Sequence, residues 1–225
     1  MKCKYCKCTD FQACPGGCSW VRAFVCSNCD RPESKPMLFS GPMVKALQAG
    51  TKTQTRRALK CQHDLVQRVG ANLFEASDAG QPGYHLRCPY GFVGDRIWVR
   101  EGWMDLEGTG IEHSDPITRK RQRYAYRADS PPGSASDEAR KDYGLKWRPS
   151  IHMPRAACRL ELEITDVRVE KLHRISEADA IAEGVTQVAG QRATVGFAWL
   201  WVDINGSASW ARNPWVWVVK FRKVP

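Results

Sequence analysis

Seven of the ten cysteines fall within the first 29 residues: Cys3, Cys6, Cys8, Cys14, Cys18, Cys26 and Cys29. So short a segment cannot bury enough apolar surface to fold on a core alone, so the thiols must supply the missing free energy. The outer pairs read C-x2-C, nineteen residues, C-x2-C. That is a zinc-ribbon spacing: each pair forms a tight knuckle, and two knuckles complete a tetrahedral thiolate site. The expected ligands are therefore Cys3, Cys6, Cys26 and Cys29, holding a structural zinc. A disulfide framework competes, but seven is an odd number and Met1-Lys2-Cys3-Lys4-Tyr5-Cys6 offers no apolar signal core. Cys8, Cys14 and Cys18 are left over. They hold a second metal, completed by Asp10 or a shared thiolate, belong to an iron–sulfur cluster, or pack as small apolar groups.

Arg31-Pro32-Glu33-Ser34-Lys35-Pro36 has two prolines and no hydrophobic period, so it reads as a linker. The expected organisation is a metal-binding module and linker over residues 1–36 and a main domain over 37–225. Within the main domain, Ser40-Gly41-Pro42 opens a short helix that Gly50 ends. The next segment, Thr51-Lys52-Thr53-Gln54-Thr55-Arg56-Arg57, is extended; alternation sets Lys52, Gln54 and Arg56 on one face and Thr53, Thr55 and Arg57 on the other. Arg96 to Glu101 reads as a strand after the Gly94-Asp95 turn, and residues 159–169 alternate apolar with polar as a half-exposed strand. Ser176-Glu177-Ala178-Asp179 caps a helix that Gly184 closes, placing Asp179 and Glu183 one turn apart. Trp215 to Phe221 is apolar on both faces and belongs inside a sheet. Residues 105–145, dense in both charges around Ser130-Pro131-Pro132-Gly133-Ser134, read as a long mobile loop insertion. Strands dominate and helices are short, which predicts an α+β fold built on a small mixed β-barrel.

The formal charge is +10, and it lies outside residues 105–145, which carry a slight acidic excess. A basic surface of this kind favours polyanions such as nucleic acid through counterion release. No stretch has the roughly 18 apolar residues that a membrane span needs, so the expected compartment is the cytoplasm. Trp98, Trp103 and Trp147 are candidate stacking platforms or core residues, and His152 sits in a proline-flanked loop where it touches a ligand or serves as a hydrogen-bonded structural group. Cys61 and His63, with His85 and Cys88, are a weaker metal candidate because their spacing suits a knuckle poorly.

Taken in order, Gly50 to Arg57 after a short helix, the Gly94-Asp95 turn, Ile175 to Ala180 through Glu183-Gly184, and the closing aromatic strand resemble the ASCH domain, a small barrel related to PUA RNA-binding domains. Trp147-Arg148-Pro149-Ser150-Ile151-His152-Met153-Pro154-Arg155 and Asn213-Pro214-Trp215-Val216-Trp217 resemble ASCH proteins of phages and prophages, over residues 37–225. The resemblance implies a bacterial or phage-infected cytoplasm and action on RNA or on modified nucleosides. One branch removes the acetyl group from N4-acetylcytidine, and its working positions fall on Lys52, Thr55 and Glu183. In chemical terms Lys52 would activate the Thr55 hydroxyl, helped by burial or by the neighbouring Arg56 and Arg57, and Glu183 would protonate the departing amine. Arg56, Arg57, Trp98, Arg100, Trp147, Arg148 and His152 are the expected nucleic-acid contacts. A non-catalytic RNA- or DNA-binding adaptor uses the same basic residues without turnover, a protein partner of the cysteine module fits either role, and a phage assembly component is a third alternative.

Overall fold

The fold is described from a computed structural model covering residues 3, 7–14, 17–22, 25–26, 34–70, 73–110, 113–114, 121–186 and 188–225. Its strands in chain order are β1 (Trp20–Arg22), β2 (Val25–Cys26), β3 (Ser34–Leu38), β4 (Gln54–Ala58), β5 (Leu65–Gly70), β6 (Leu73–Ser77), β7 (Tyr84–Leu86), β8 (Arg96–Arg100), β9 (Trp103–Asp105), β10 (His113–Ser114), β11 (Arg121–Gln122), β12 (Tyr124–Tyr126), β13 (Glu161–Lys171) and β14 (Trp215–Lys223). The helices are α1 (Gly41–Gln48), α2 (Ala135–Asp142), α3 (Glu177–Ala182) and α4 (Ala193–Asn205). None is long and apolar enough to cross a membrane.

The main sheet has the order β3-β8-β13-β14-β4, with β3 and β8 parallel and the other neighbours antiparallel. β14 explains why its sequence is apolar on both faces. Trp217, Val219 and Phe221 enter one core with Phe39, Val44, Leu47, Phe74 and Ile97. Val216 and Val218, pointing the other way, enter a second core with Leu172, Ala180, Phe197 and Trp201 from the α3 and α4 side. β13 shows a second adjustment. Its apolar residues change parity, from Leu162 and Ile164 to Val167 and Val169, and a register shift between Ile164 and Asp166 absorbs the extra residue. Without that bulge half of the strand would turn its hydrophobic residues away from the first core.

The mixed α+β architecture with short helices is as expected, but among the described residues no barrel closes. β3 and β4 remain the two free edges of the five-stranded sheet, because α1 carries the chain from one edge to the other and no strand pairs across the gap. The three-stranded sheet β5-β6-β7 covers part of the first core instead, with Phe74 edge-on to Trp217 at 5.0 Å. The stretch 105–145 also differs from a loop. Its mixed charges assemble α2, where the Ser134 hydroxyl accepts from the Asp137 N–H and Asp137 pairs with Arg140 and Lys141. β12 pairs with β9, and the Tyr126 hydroxyl donates to the Ala157 carbonyl at 2.8 Å.

The second sheet is thus a structural layer of the core. Phe74→Ala is expected to lower unfolding free energy by about 3–5 kcal/mol. Tyr143→Ala, which removes a side chain that is 59% exposed, is expected to stay within about 0.5 kcal/mol. Chemical denaturation of both variants checks this, and equal effects would contradict the packing.

Candidate functional site

The sequence candidates Lys52, Gln54 and Arg56 do share a face, and that face is buried. β4 pairs with β14 in a register that sets Gln54, Arg56 and Ala58 opposite Lys220, Val218 and Val216, so Arg56 projects towards α3 and α4. Gln54 donates through Nε2 to the Asp179 carbonyl at 2.9 Å. Lys52 lies two residues before β4, bridged in antiparallel fashion to Glu183. Its Nζ donates to the Glu183 carbonyl oxygen at 2.8 Å and to Glu183 Oε2 at 3.1 Å.

Arg56 completes the arrangement. Nη1 donates to Glu183 Oε1 at 3.0 Å, while Nη2 reaches Glu170 Oε1 at 2.5 Å and Asp179 Oδ2 at 3.0 Å. Arg168, directly across Val218 from Arg56 in the sheet, donates to Glu170 and Asp179 as well. Three cations and three carboxylates therefore form one network. The Lys52 and Arg56 side chains are 0% exposed, so each depends on its partners to offset the cost of leaving water. Burial lowers the Lys52 pKa from its ordinary 10.5; Glu183 opposes that shift, and the Arg57 and Arg56 charges reinforce it.

Local structure places these groups. The Ser176 hydroxyl accepts from the Asp179 N–H at 3.1 Å and starts α3. Gly184 follows Glu183 at φ +80°, and a Cβ there would stand 3.0 Å from the Cβ atoms of both Ala46 and Lys52. Only glycine permits both the left-handed turn and that approach. α4 is held over the site by Glu177, whose carboxylate accepts from Ala193 N at 2.7 Å and Thr194 Oγ1 at 2.5 Å. This is a helix cap supplied from another element, since Arg192 at the start of α4 makes no side-chain cap.

Because β4 is an edge strand, a cavity at its free edge is lined from both faces. It encloses about 50 Å3, and Thr55, Arg56, Arg57, Glu183, Phe197 and Trp201 are among its walls. Thr55 is buried and makes no side-chain hydrogen bond among the described residues, to Lys52 or to any other group. Of the three buried N–H donors that have no acceptor among the described residues, two are Arg56 Nε and Trp201 Nε1. Both belong to residues lining this cavity.

The remaining expected contacts lie elsewhere or are otherwise engaged. Arg56 is enclosed by carboxylates and does not present its guanidinium to a phosphate. Arg57 donates to the Leu38 carbonyl at 2.8 Å and lies 5.7 Å from the Phe39 ring centroid. Trp98 is buried, with Arg100 at 4.6 Å and Arg155 at 5.7 Å from its ring centroid, and Arg100 also donates to the Met153 carbonyl. Trp103 is buried as well. Trp147 is half-buried and Arg148 exposed, lining a cleft on the far side of α1, and His152 is exposed in the short 3-10 turn Ser150–His152 next to it. The network partners Asp179, Glu170 and Arg168, and Glu177 that caps α4, were not among the expected site residues. The alternating Arg168 and Glu170 on β13 and the acidic first turn of α3 are the sequence signals that point to them.

At the amino end the structure gathers the thiols the spacing left over. The sulfur atoms of Cys8, Cys14 and Cys18 lie within 4.8 Å of one another, with Cys8 and Cys18 at 3.7 Å. Two thiolates on one tetrahedral zinc, at about 2.3 Å each, stand about 3.8 Å apart, so this trio is spaced to hold a metal ion. Buried Cys3 and the Trp20 ring pack with them, and Asp10 Oδ1 accepts from Trp20 Nε1 at 2.6 Å. Of the expected ribbon ligands, Cys6 and Cys29 lie outside the described residues, and Cys26 is described only through its backbone in β2. Cys61, His63, His85 and Cys88 do not form a metal group. The His63 ring nitrogens face Asp78 at 3.1 Å and the Tyr84 hydroxyl at 2.8 Å, and burial pushes the Cys88 thiol up to about 11.

No family model matches the chain, and neither a curated protein nor a solved structure shows significant similarity to it.

Proposed function

We propose that the chain is a nucleobase-directed hydrolase of the ASCH type that cleaves an N4-acyl amide of cytidine at the free edge of β4, carried by a PUA-like domain with a zinc-binding module before it. The observation that carries this reading is the convergence of Lys52 and Glu183, 131 residues apart, in a direct buried contact beside a cavity shared by Thr55 and Glu183. A lysine whose pKa burial depresses is suited to take a proton. In the proposed reaction the Thr55 oxygen adds to the acyl carbonyl carbon as its proton passes to Glu183, which lines the cavity with it, and on to neutral Lys52. The carbon–nitrogen bond then breaks, the amine takes a proton from the Lys52–Glu183 pair, and water releases the acyl group from Thr55 as a carboxylate. The unsatisfied N–H groups of Arg56 and Trp201 are the donors available to the developing oxyanion. Both Glu183 oxygens accept from cations, so Glu183 donates a proton only after one of them lets go.

The adaptor reading is favoured by one observation. A cavity of about 50 Å3 is well below the roughly 300 Å3 of small ligand pockets, so a nucleoside enters only if Phe197 and Trp201 on α4 move aside. The amino module, in either reading, holds zinc through Cys8, Cys14 and Cys18, with Cys3 the nearest further thiol. As a structural ion it would link the loop around Cys8 to Cys14 and Cys18 and supply folding energy.

Two experiments test these statements. Wild-type protein is expected to hydrolyse N4-acetylcytidine, with Lys52→Ala, Thr55→Ala and Glu183→Gln each losing at least about a hundredfold in kcat and their combination losing no more than the worst single variant. Since the base must be neutral, the rate rises with pH and levels off below the ordinary lysine value of 10.5. A folded Lys52→Ala protein with full activity, or no turnover by the wild type, contradicts the mechanism. Metal analysis of the purified protein is expected to find zinc, reduced by Cys8→Ser and by Cys14→Ser but not by Cys61→Ser. Unchanged zinc in the first two variants removes the Cys8–Cys14–Cys18 site.

A further inference from the structure

A much larger cleft opens on the other side of α1. It encloses about 710 Å3, and its walls include Phe39, Lys45, Arg127, Trp147 and Arg148. Three cations line it and no carboxylate does. Lys45, Arg127 and Arg148 are exposed, and among the described residues none of them forms an ion pair, although the Arg148 charge acts on Asp105 and its guanidinium lies 5.2 Å from the Trp103 ring centroid. Neighbouring cations of the same region behave differently: Arg123, Arg140, Lys141 and Arg159 are each paired with Asp or Glu. Three like charges facing one concavity repel each other unless an anion joins them, and the low-dielectric walls of a cleft strengthen the field they make.

The cleft also has an aromatic wall. Trp147 separates it from a second cavity of about 690 Å3, which it also lines. Arg140 stands 5.7 Å from the Trp147 ring centroid and belongs to that second cavity, not to the cationic cleft. An indole beside clustered cations matches a ligand with a flat π-system and a negative group, and the volume is far larger than an inorganic anion needs.

We infer that this cleft binds a nucleoside phosphate, with the phosphate among Lys45, Arg127 and Arg148 and the base against Trp147. The cleft adjoins the β4 edge. Pro42 and Lys45 of α1 line the cleft while Met43 lines the small cavity, and Phe39 of the cleft contacts Arg57 of the cavity. Binding here requires no turnover at Lys52, so the cleft stands or falls on its own.

Calorimetry on the full chain provides the test, with cytidine 5′-monophosphate, cytidine, inorganic phosphate, a 5′-phosphorylated pentacytidylate and a decamer of glutamate as probes. The monophosphate is expected to bind at least tenfold tighter than cytidine or phosphate, and to weaken as salt rises. Lys45→Ala and Arg127→Ala should each weaken it about five- to tenfold, and Trp147→Ala should weaken monophosphate and nucleoside alike. All three variants should keep the wild-type melting temperature, which a melting scan verifies. A pentanucleotide that binds tighter than the monophosphate identifies a strand as the natural source, and equal affinity identifies a free nucleotide; both outcomes support the site. Equal binding of monophosphate and inorganic phosphate, unchanged affinity in Lys45→Ala and Arg127→Ala, or equally tight binding of the glutamate decamer overturns it. Lys52→Ala is expected to retain monophosphate binding, so lost turnover with intact binding implicates only the β4 edge.

Discussion

The burial of Lys52 and Arg56 is the constraint around which the rest of this domain is arranged. A charge taken fully out of water costs several kcal/mol unless it is paired and hydrogen-bonded, and here both lie on one face of an edge strand. Their partners come from far along the chain: Glu170 from β13, and Asp179 and Glu183 from α3 and its end. To deliver them, β13 must run the length of the sheet, α3 must stop at Glu183, and Gly184 must turn with no side chain in the way. Removing one member would strand the opposite charge, so each of these features supports the others.

The same network gives the β4 edge its chemical character. Glu183 draws Lys52 inwards, while burial and the two neighbouring arginines act against its charge. The result is a lysine held in one place under opposing influences, which suits proton transfer better than loose attraction of a polyanion. Three exposed cations lie elsewhere, around the cleft that Trp147 lines. Buried charge and exposed charge thus lie on opposite sides of α1, close together and suited to different tasks.

Much of this was legible in the sequence. Alternation from Lys52 to Arg57 set the right residues on the right faces, Ser176 and Gly184 marked both ends of α3, and the two-sided apolar pattern of Trp215 to Phe221 matched a strand with cores on either side. What the sequence hid was of two kinds. Pairing of distant charges left no local trace, so Arg56 read as a phosphate contact when its guanidinium is enclosed by three carboxylates. Compensating charges also concealed structure: Asp137, Arg140 and Lys141 looked like a solvated loop and instead hold α2 together. The bulge in β13 was visible as a change of parity after Ile164, yet near-perfect alternation drew more notice than the single break. Among the thiols, Cys8, Cys14 and Cys18 gather in space although their spacing gave no motif, while most of the outer C-x2-C pairs lie outside the described side chains.

The state of Lys52 is the point on which this account turns, and it can be observed directly by following the side-chain Cε and Nζ resonances of Lys52 through a pH titration by NMR. The account predicts a midpoint below the ordinary lysine value of 10.5 and a further fall in Glu183→Gln, because the carboxylate is the group that holds the charge on. A Lys52 that titrates at the ordinary lysine value and does not respond to Glu183→Gln would contradict it.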